Sequence, residues 1–169
     1  GLLSGVLSIE PNPAAAIPFL RGAQQDLPVL DDYLRLWIAQ AHLNLGEAKE
    51  AAVLLESIPM AVPDSNILAR AAYKTGEAWY QASACQESTV WFTKAVAMND
   101  KDTSAPQAFL RRATCRLRDN NVAEGRDLLQ QLWVRFPYTP EAKEAEALLS
   151  SNLGGEPWTV QPSDRLTRA

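Results

Sequence analysis

Few side chains in this sequence are spaced for acid–base, nucleophilic or metal chemistry. His42 is the only histidine, and Glu87 directly precedes Ser88, which pairs an acid with a hydroxyl group. A single acid without a second group in a pocket cannot supply general acid–base catalysis, and glycoside cleavage generally needs a second carboxylate or a substrate-assisted route. No His, Cys and Asp cluster has metal-ligand spacing, and Gly154-Gly155 lacks the surroundings of a phosphate-binding loop. We therefore expect this segment to have no enzymatic activity, no cofactor and no metal.

The spacing of small residues indicates which elements position these side chains. Ala39, Gly76 and Ala113 follow one another at intervals of 37 residues. Each is followed at fixed offsets by a second small residue and by two apolar residues. The second small residues are Ala51, Ser88 and Gly125. The first apolar residues are Leu55, Phe92 and Leu129, and the second are Ile58, Ala95 and Leu132. Such a repeat predicts stacked helical hairpins. Ser88 is then a packing residue, and His42, aligned with Trp79, packs between helices rather than acting as a base or ligand.

Helix start and stop signals divide the chain further. Asn12-Pro13 and Thr139-Pro140 each place an N-cap residue before a proline at the first helical position. No segment shows strand periodicity. We predict one all-α domain over residues 1–169, a right-handed superhelix with hairpins at about 30–62, 66–101 and 104–138, extra helices at about 13–25 and 139–151, and a truncated helix from 163.

The composition excludes some classes of partner. The chain has 169 residues, a formal charge of −4 and a pI of about 5.0. It offers no basic surface for nucleic acid and no apolar run long enough to span a membrane, so we expect neither kind of binding. We interpret Cys85 and Cys115 as two small buried apolar residues. A disulfide between neighbouring helices is the alternative, if the protein lies in an oxidising compartment.

The spacings resemble the tetratricopeptide repeat. The middle unit matches best, because Gly76, Trp79, Ser88, Phe92 and Ala95 stand where the family places its Gly, Tyr, Ala, Phe and Ala. The units are longer than the usual length of about 34 residues, which is typical of a degenerate repeat. The resemblance implies an array that binds or positions a partner and performs no chemistry itself.

A second resemblance covers nearly the whole chain. The segments 31–37, 45–46, 51–52, 135–142 and 163–169 resemble the helical superhelix that precedes the catalytic domain of soluble lytic transglycosylases. In that family Glu-Ser opens the catalytic motif, but no Gly-Leu-Met-Gln-like segment follows Glu87-Ser88 here.

This second resemblance implies a periplasmic location and a non-catalytic part of a peptidoglycan-cleaving enzyme. It also implies that the natural chain continues past Ala169 with more hairpins and a lysozyme-like domain. The alternative is a stand-alone tetratricopeptide scaffold of the bacterial cell envelope. The expected partner is accordingly a protein or a peptidoglycan strand.

The family register also implies which residues face a partner. In such arrays the exposed positions of each first helix line the concave side. These positions are Tyr33, Gln40 and Asn44 in the first unit, Arg70, Tyr73, Glu77, Tyr80 and Gln81 in the second, and Gln107, Thr114 and Arg118 in the third. The alternative is a solvated groove that binds nothing.

The tryptophans and arginines could suggest sugar-stacking or carboxylate-binding surfaces. Trp37, Trp79, Trp91 and Trp133 are flanked by apolar periodicity, so we assign them to the core, and we expect Trp158 to fold back onto the preceding hairpin. We interpret Arg111, Arg112, Arg116 and Arg118 as a solvated face with compensating acids, with an anchor for a carboxylate as the alternative.

Overall fold

The computed structural model describes residues 1–151, 153–155 and 158–160, and this part of the chain is helical without a strand. The helices are α1 (Leu2–Ser8), α2 (Pro13–Asp26), α3 (Asp31–Asn44), α4 (Ala48–Glu56), α5 (Ile58–Ala61), α6 (Leu68–Gln81), α7 (Cys85–Met98), α8 (Ala105–Arg118), α9 (Val122–Arg135) and α10 (Pro140–Ser150). Short 3₁₀ turns occupy Pro28–Leu30 and Leu153–Gly155. The predicted all-α class is confirmed, and the helix predicted from residue 163 lies outside the described residues.

The helices begin where capping chemistry predicts. Asn12 accepts a hydrogen bond from the backbone N–H of Ala15 at 3.2 Å, and Thr139 accepts one from the N–H of Ala142 at 3.2 Å. Each bond satisfies one of the N–H groups that the first helical turn leaves unpaired. The starts predicted at Asn12-Pro13 and Thr139-Pro140 are therefore confirmed.

Two short helices are absent from the sequence prediction. α1 packs on α2, where Gly5 is buried so closely that an added Cβ would lie 2.9 Å from Leu20. α5 occupies a segment whose prolines predict a loop. Pro59 is tolerated there because it stands in the first turn of the helix, where a backbone N–H has no intrahelical partner.

The chain divides into two compact units, residues 1–98 and 99–169. In the first unit α2 contacts α1 and α3, α4 contacts α3 and α6, and α6 contacts α7. In the second unit α9 contacts α8 and α10. Helices that follow each other in sequence are therefore neighbours within each unit.

Small residues set the close approach of the paired helices. In the first unit the buried hydroxyl of Ser88 donates to the carbonyl of Gly76 at 3.0 Å, and a Cβ on Gly76 would lie 2.7 Å from the ring of Phe92. In the second unit a Cβ on Gly125 would lie 2.7 Å from Leu117 and 3.4 Å from the carbonyl oxygen of Ala113. The predicted pairing of small residues across these hairpins is confirmed.

The turns within the hairpins repeat at the same interval of 37 residues. Gly46, Ser83 and Asn120 adopt positive φ angles of 80°, 60° and 58°. The residue after each one donates its N–H to a carbonyl five residues earlier, from Glu47 to His42 and from Ala84 to Trp79 in the first unit and from Asn121 to Arg116 in the second. This left-handed C-cap closes each first helix. The residue types differ, so the repeat of turns is visible only in the backbone.

Aromatic packing and cysteine chemistry complete the comparison with the sequence. Trp158 packs edge-on against Trp133 with ring centroids 5.3 Å apart, so its predicted return onto the preceding hairpin is confirmed.

Neither Cys85 nor Cys115 is a free thiol in the structure. The interpretation of both residues as small buried apolar residues is therefore wrong, since neither keeps its thiol and only Cys115 is fully buried, whereas Cys85 is half-buried.

Candidate functional site

The residues of α3 that are predicted to recognise a partner largely form hydrogen bonds within the protein. The Tyr33 hydroxyl donates to Asn66 at 3.2 Å. Gln40 accepts a hydrogen bond from Lys74 of α6 at 3.2 Å and donates to Asn44 at 3.0 Å. Asn44 in turn donates to the carbonyl of Ile9 at 2.9 Å. These polar groups therefore link α3 to its neighbours on both sides.

The buried carboxylate of Asp32 makes a further contact between α3 and the segment before α6. Asp32 is only 5% exposed. It accepts a hydrogen bond from the Ser65 hydroxyl at 2.5 Å and another from the backbone N–H of Tyr33 at 2.8 Å. Because a buried charge is tolerated only when it is hydrogen-bonded, this contact fixes the segment that leads into α6 against the start of α3. We call the surface of Tyr33, Gln40 and Asn44 the register face.

The positions predicted on α6 are partly exposed. Tyr73 packs on Phe92 with ring centroids 5.6 Å apart, and Tyr73, Glu77 and Tyr80 are half-buried, each with an interaction partner. Arg70 and Gln81 are exposed. The Gln40–Lys74 contact brings the α3 and α6 positions together within the first unit. Their role in recognition stays a prediction.

The predicted positions on α8 belong to the second unit. Thr114 uses its hydroxyl within the helix, donating to the carbonyl of Leu110 at 2.8 Å. Gln107 is half-buried and Arg118 is exposed, and both have interaction partners. Their role in recognition also stays a prediction.

A cavity of about 570 Å³ lies between α2 and α4, with α3 as its floor. A second cavity of about 430 Å³ shares Arg21, Arg35 and Leu54 with it and adds Gln24, Gln25 and Ile38. We call the two together the α2–α4 groove. The larger cavity is lined by Arg21, Arg35, His42, Lys49, Glu50, Val53, Leu54 and Ser57.

The α2–α4 groove and the register face lie on opposite sides of α3. An α-helix turns by about 100° per residue, so residues seven apart, such as Tyr33 and Gln40, share one side. Arg35 follows Tyr33 by two residues and His42 follows Gln40 by two, so both lie about 200° further around the helix. The family register predicts recognition on one side of α3, whereas the cavity lies on the other.

Arg35 is fixed in the floor of the α2–α4 groove. Its Nε donates to Asp31 at 2.7 Å and its Nη1 donates to the Ser57 hydroxyl at 2.6 Å. Asp31 also accepts a hydrogen bond from Gln24 at 2.8 Å. A guanidinium carries five N–H donors, and these two bonds hold its plane while leaving other donors available. The groove thus contains a pre-oriented arginine.

The basic residues around this floor differ in their partners. Arg21 on α2 and Lys49 on α4 are exposed, and neither has a hydrogen bond or ion pair with the part of the chain that the structure describes. His42 is not merely a packing residue as the sequence predicts, because its Nδ1 lies 2.6 Å from the Glu47 carboxylate. Val53, 61% exposed, adds an apolar patch to the α4 wall.

Family models of the tetratricopeptide repeat match residues 9–74 and 107–137. The chain carries tetratricopeptide repeats. The first match covers α2 to α5 and the first half of α6, and the second covers most of α8 and all of α9. Neither match extends over residues 75–106, which include most of the middle unit and its five family-like residues from Gly76 to Ala95. No curated protein matches the chain.

Two tryptophans of the repeats share one acceptor. The indole N–H groups of Trp79 and Trp91 both donate to the same oxygen of Glu56 at 2.8 Å. Trp79 also packs against the apolar core formed by α3, α4 and α6. These rings serve the packing between helices, as the sequence predicts.

The arginines of α8 form the predicted solvated face only at Arg118, which is exposed. Arg111, Arg112 and Arg116 are half-buried. Arg116 pairs with Glu124 at 2.9 Å, which is the predicted kind of compensating acid. Burial lowers the pKa of Arg112, Glu124 opposes this effect and Arg116 adds to it. Long aliphatic stems let arginines pack along apolar surface while the guanidinium reaches a polar partner.

The side chains considered for catalysis do not converge. Ser88 is buried against Gly76, whereas Glu87 is exposed. Within the described ranges, no three His, Cys, Asp or Glu side chains are placed to hold a metal ion. A search of the same residues finds no helix long and apolar enough to cross a membrane.

Proposed function

We propose that this chain is a non-catalytic scaffold that binds a partner protein through its tetratricopeptide repeats. The observation that carries the proposal is the match of repeat models to two parts of a chain built from helical hairpins. Helices in such arrays contact mainly their sequence neighbours, so each hairpin presents outward-facing side chains that the fold does not need. Tetratricopeptide repeats imply protein partners.

Two surfaces of the first unit support this proposal. The α6 positions Arg70 and Gln81 are exposed. The α2–α4 groove holds basic and apolar side chains around a cavity of about 570 Å³. A cavity of this size falls in the range of about 300–1,000 Å³ that accommodates compact ligands or a few side chains of a partner.

Site-specific photo-crosslinking in the native host tests the scaffold function. A photoreactive amino acid replaces Arg70, Gln81 or Val53 in turn, with the exposed Tyr138 of the second unit as the control position. We expect a discrete protein adduct from at least one of the first three positions and none from Tyr138. Absence of an adduct from all three positions would contradict the scaffold function.

We further propose that the scaffold belongs to the bacterial cell envelope, as the non-catalytic superhelical part of a periplasmic lytic transglycosylase. The resemblance of residues 31–37 and 135–142 to that family supports this, as does the short helix α10 that begins at Pro140, after the Phe136-Pro137 stop. The absence of a free thiol at both cysteines suits an oxidising compartment such as the periplasm. In this role the repeats position a glycan strand or a partner protein for the catalytic domain.

The reading frame beyond Ala169 tests this more specific proposal. We expect further helical hairpins followed by a lysozyme-like domain with a Glu-Ser motif. We also expect the purified segment to release no soluble muropeptides from cell-wall sacculi. A frame that closes without such a domain would contradict the transglycosylase parent and leave the scaffold function intact.

A further inference from the structure

The α2–α4 groove is basic although the chain as a whole is acidic. The formal charge of the protein is −4. Arg35 is compensated by Asp31, and His42 is bonded to Glu47. The larger cavity is thus lined by the cations Arg21, Arg35 and Lys49 and by one carboxylate, that of Glu50. A local excess of positive charge on an acidic protein attracts and orients an anionic group.

The shape of the groove favours an extended ligand. The two cavities, of about 570 and 430 Å³, adjoin at Arg21, Arg35 and Leu54. The larger cavity lies mainly along α4 and the second mainly along α2, so the two form an elongated site rather than one chamber. An extended segment can place one side chain in each cavity, whereas an isolated small anion would occupy only the position beside the cations.

The chemistry of the two walls specifies this segment further. Arg21 on one wall, Lys49 on the other and Arg35 in the floor can hold a carboxylate, and an arginine fork matches the two oxygens of such a group. Val53 is a large apolar side chain that the fold leaves 61% exposed, and Leu54 beside it is half-buried. A branched aliphatic side chain next to the carboxylate would cover both.

We propose that the α2–α4 groove binds an extended peptide segment of a partner protein that carries an acidic residue next to a branched aliphatic residue. The proposal rests on the scaffold function and adds the chemistry of the ligand. The carboxylate of the segment lies between Arg21, Arg35 and Lys49, and the aliphatic side chain lies on Val53 and Leu54. The register face of α3 takes no part.

Fluorescence anisotropy with a defined probe tests this inference. The probe is a fluorescein-labelled hexapeptide, Ser-Asp-Leu-Glu-Val-Ser, and the matched control peptide has Asn and Gln in place of Asp and Glu. We expect the acidic peptide to bind, and we expect its affinity to fall as added salt screens the charges of the groove. We expect the neutral peptide to bind roughly tenfold more weakly.

Two double variants separate the groove from general charge. The first double variant, Arg21→Glu with Lys49→Glu, replaces two positive charges of the groove by negative ones. The second, Lys101→Glu with Lys143→Glu, makes the same change of charge at exposed positions of the second unit. We expect the first to weaken binding of the acidic peptide by roughly tenfold or more and the second to leave it nearly unchanged. Val53→Ser should weaken binding without changing its salt dependence.

The remaining outcomes distinguish the occupants. Equal loss of binding in both double variants, or no binding of the acidic peptide by the unmodified protein, would overturn the inference. Binding of phosphatidylglycerol vesicles or inorganic phosphate that depends on Arg21 and Lys49, without binding of the peptide, would also overturn it. A protein adduct from Arg70 or Gln81 in the crosslinking experiment would keep the scaffold function in all these cases.

Discussion

The two sides of α3 carry polar side chains of similar kinds but use them differently. On the register face, Tyr33, Gln40 and Asn44 bond to Asn66, Lys74 and Ile9, so their polar groups join α3 to the rest of the first unit. On the side of the α2–α4 groove, Arg35 is hydrogen-bonded to Asp31 and Ser57, while Arg21 and Lys49 have no ion partner among the described residues.

The difference shows that a polar residue at an outward helical position is not necessarily available to a partner. Each bond on the register face joins residues at least 33 positions apart, except the bond between Gln40 and Asn44. Such bonds stabilise the fold and are lost if a partner takes over their groups. The groove combines a fixed floor with unused charge, which is what a binding site requires.

The largest effect is expected at Gly76, where α6 packs closely against α7. A Cβ on Gly76 would lie 2.7 Å from the fully buried ring of Phe92, so Gly76→Ala should lower the free energy of unfolding by about 3 kcal/mol. The matched control is Gly22→Ala on α2, where the added Cβ meets nothing within 4 Å. That change should raise stability by about 0.5–1 kcal/mol. Urea denaturation measures both, and equal stability of the two variants would contradict the packing model.

Two adjacent aspartates test the comparison directly. Asp32→Ala leaves Ser65 without its buried acceptor and should lower the free energy of unfolding by about 2 kcal/mol. Asp31→Asn removes only the partly exposed pair with Arg35 and should lower it by about 0.5 kcal/mol. Because it removes the negative charge beside Arg35, Asp31→Asn should also tighten binding of the acidic hexapeptide. Unfolding curves and anisotropy check the two effects, and a larger loss of stability in Asp31→Asn than in Asp32→Ala would contradict the structural role assigned to the buried Asp32.

A smaller loss of stability is expected on the register face itself. Asn44→Ala removes the hydrogen bond to the carbonyl of Ile9, which leaves that carbonyl without this donor. The free energy of unfolding should fall by about 1 kcal/mol, measured by urea denaturation. Binding of the acidic hexapeptide should be unchanged in the folded variant. A loss of binding at unchanged stability would show that the register face recognises the ligand.

The smallest effect on stability is expected in the groove. Arg21→Ala with Lys49→Ala removes two exposed side chains that have no ion pair among the described residues. The urea midpoint should therefore stay within experimental error of the unmodified protein. A clear decrease would show that these residues support the fold, and the groove would then lose its distinction from the register face.

Much of the fold follows from local patterns in the sequence. The pairing of Gly76 with Ser88 could be predicted because small residues recur wherever two helices approach closely, and the starts at Asn12 and Thr139 because capping chemistry is local. α1 could not be predicted, since its stability comes from the contact of Gly5 with Leu20 rather than from its own residues.

The candidate site could be predicted only in part. The sequence places Arg35 and His42 on one side of α3, but the walls of the groove come from α2 and α4, whose arrangement is tertiary. A helical register also gives no information on which polar groups form hydrogen bonds within the fold. For that reason Tyr33, Gln40 and Asn44 look available in the sequence although the structure shows them bonded.

The most direct test of the two sides is an NMR titration of the isotope-labelled protein with the acidic hexapeptide. The account predicts shifts for the Val53 and Leu54 methyl groups and for the Nε–H signals of Arg21 and Arg35. It predicts no shift for the side-chain amides of Gln40 and Asn44. Shifts of those amides with unchanged Val53 and Leu54 methyl signals would contradict the account.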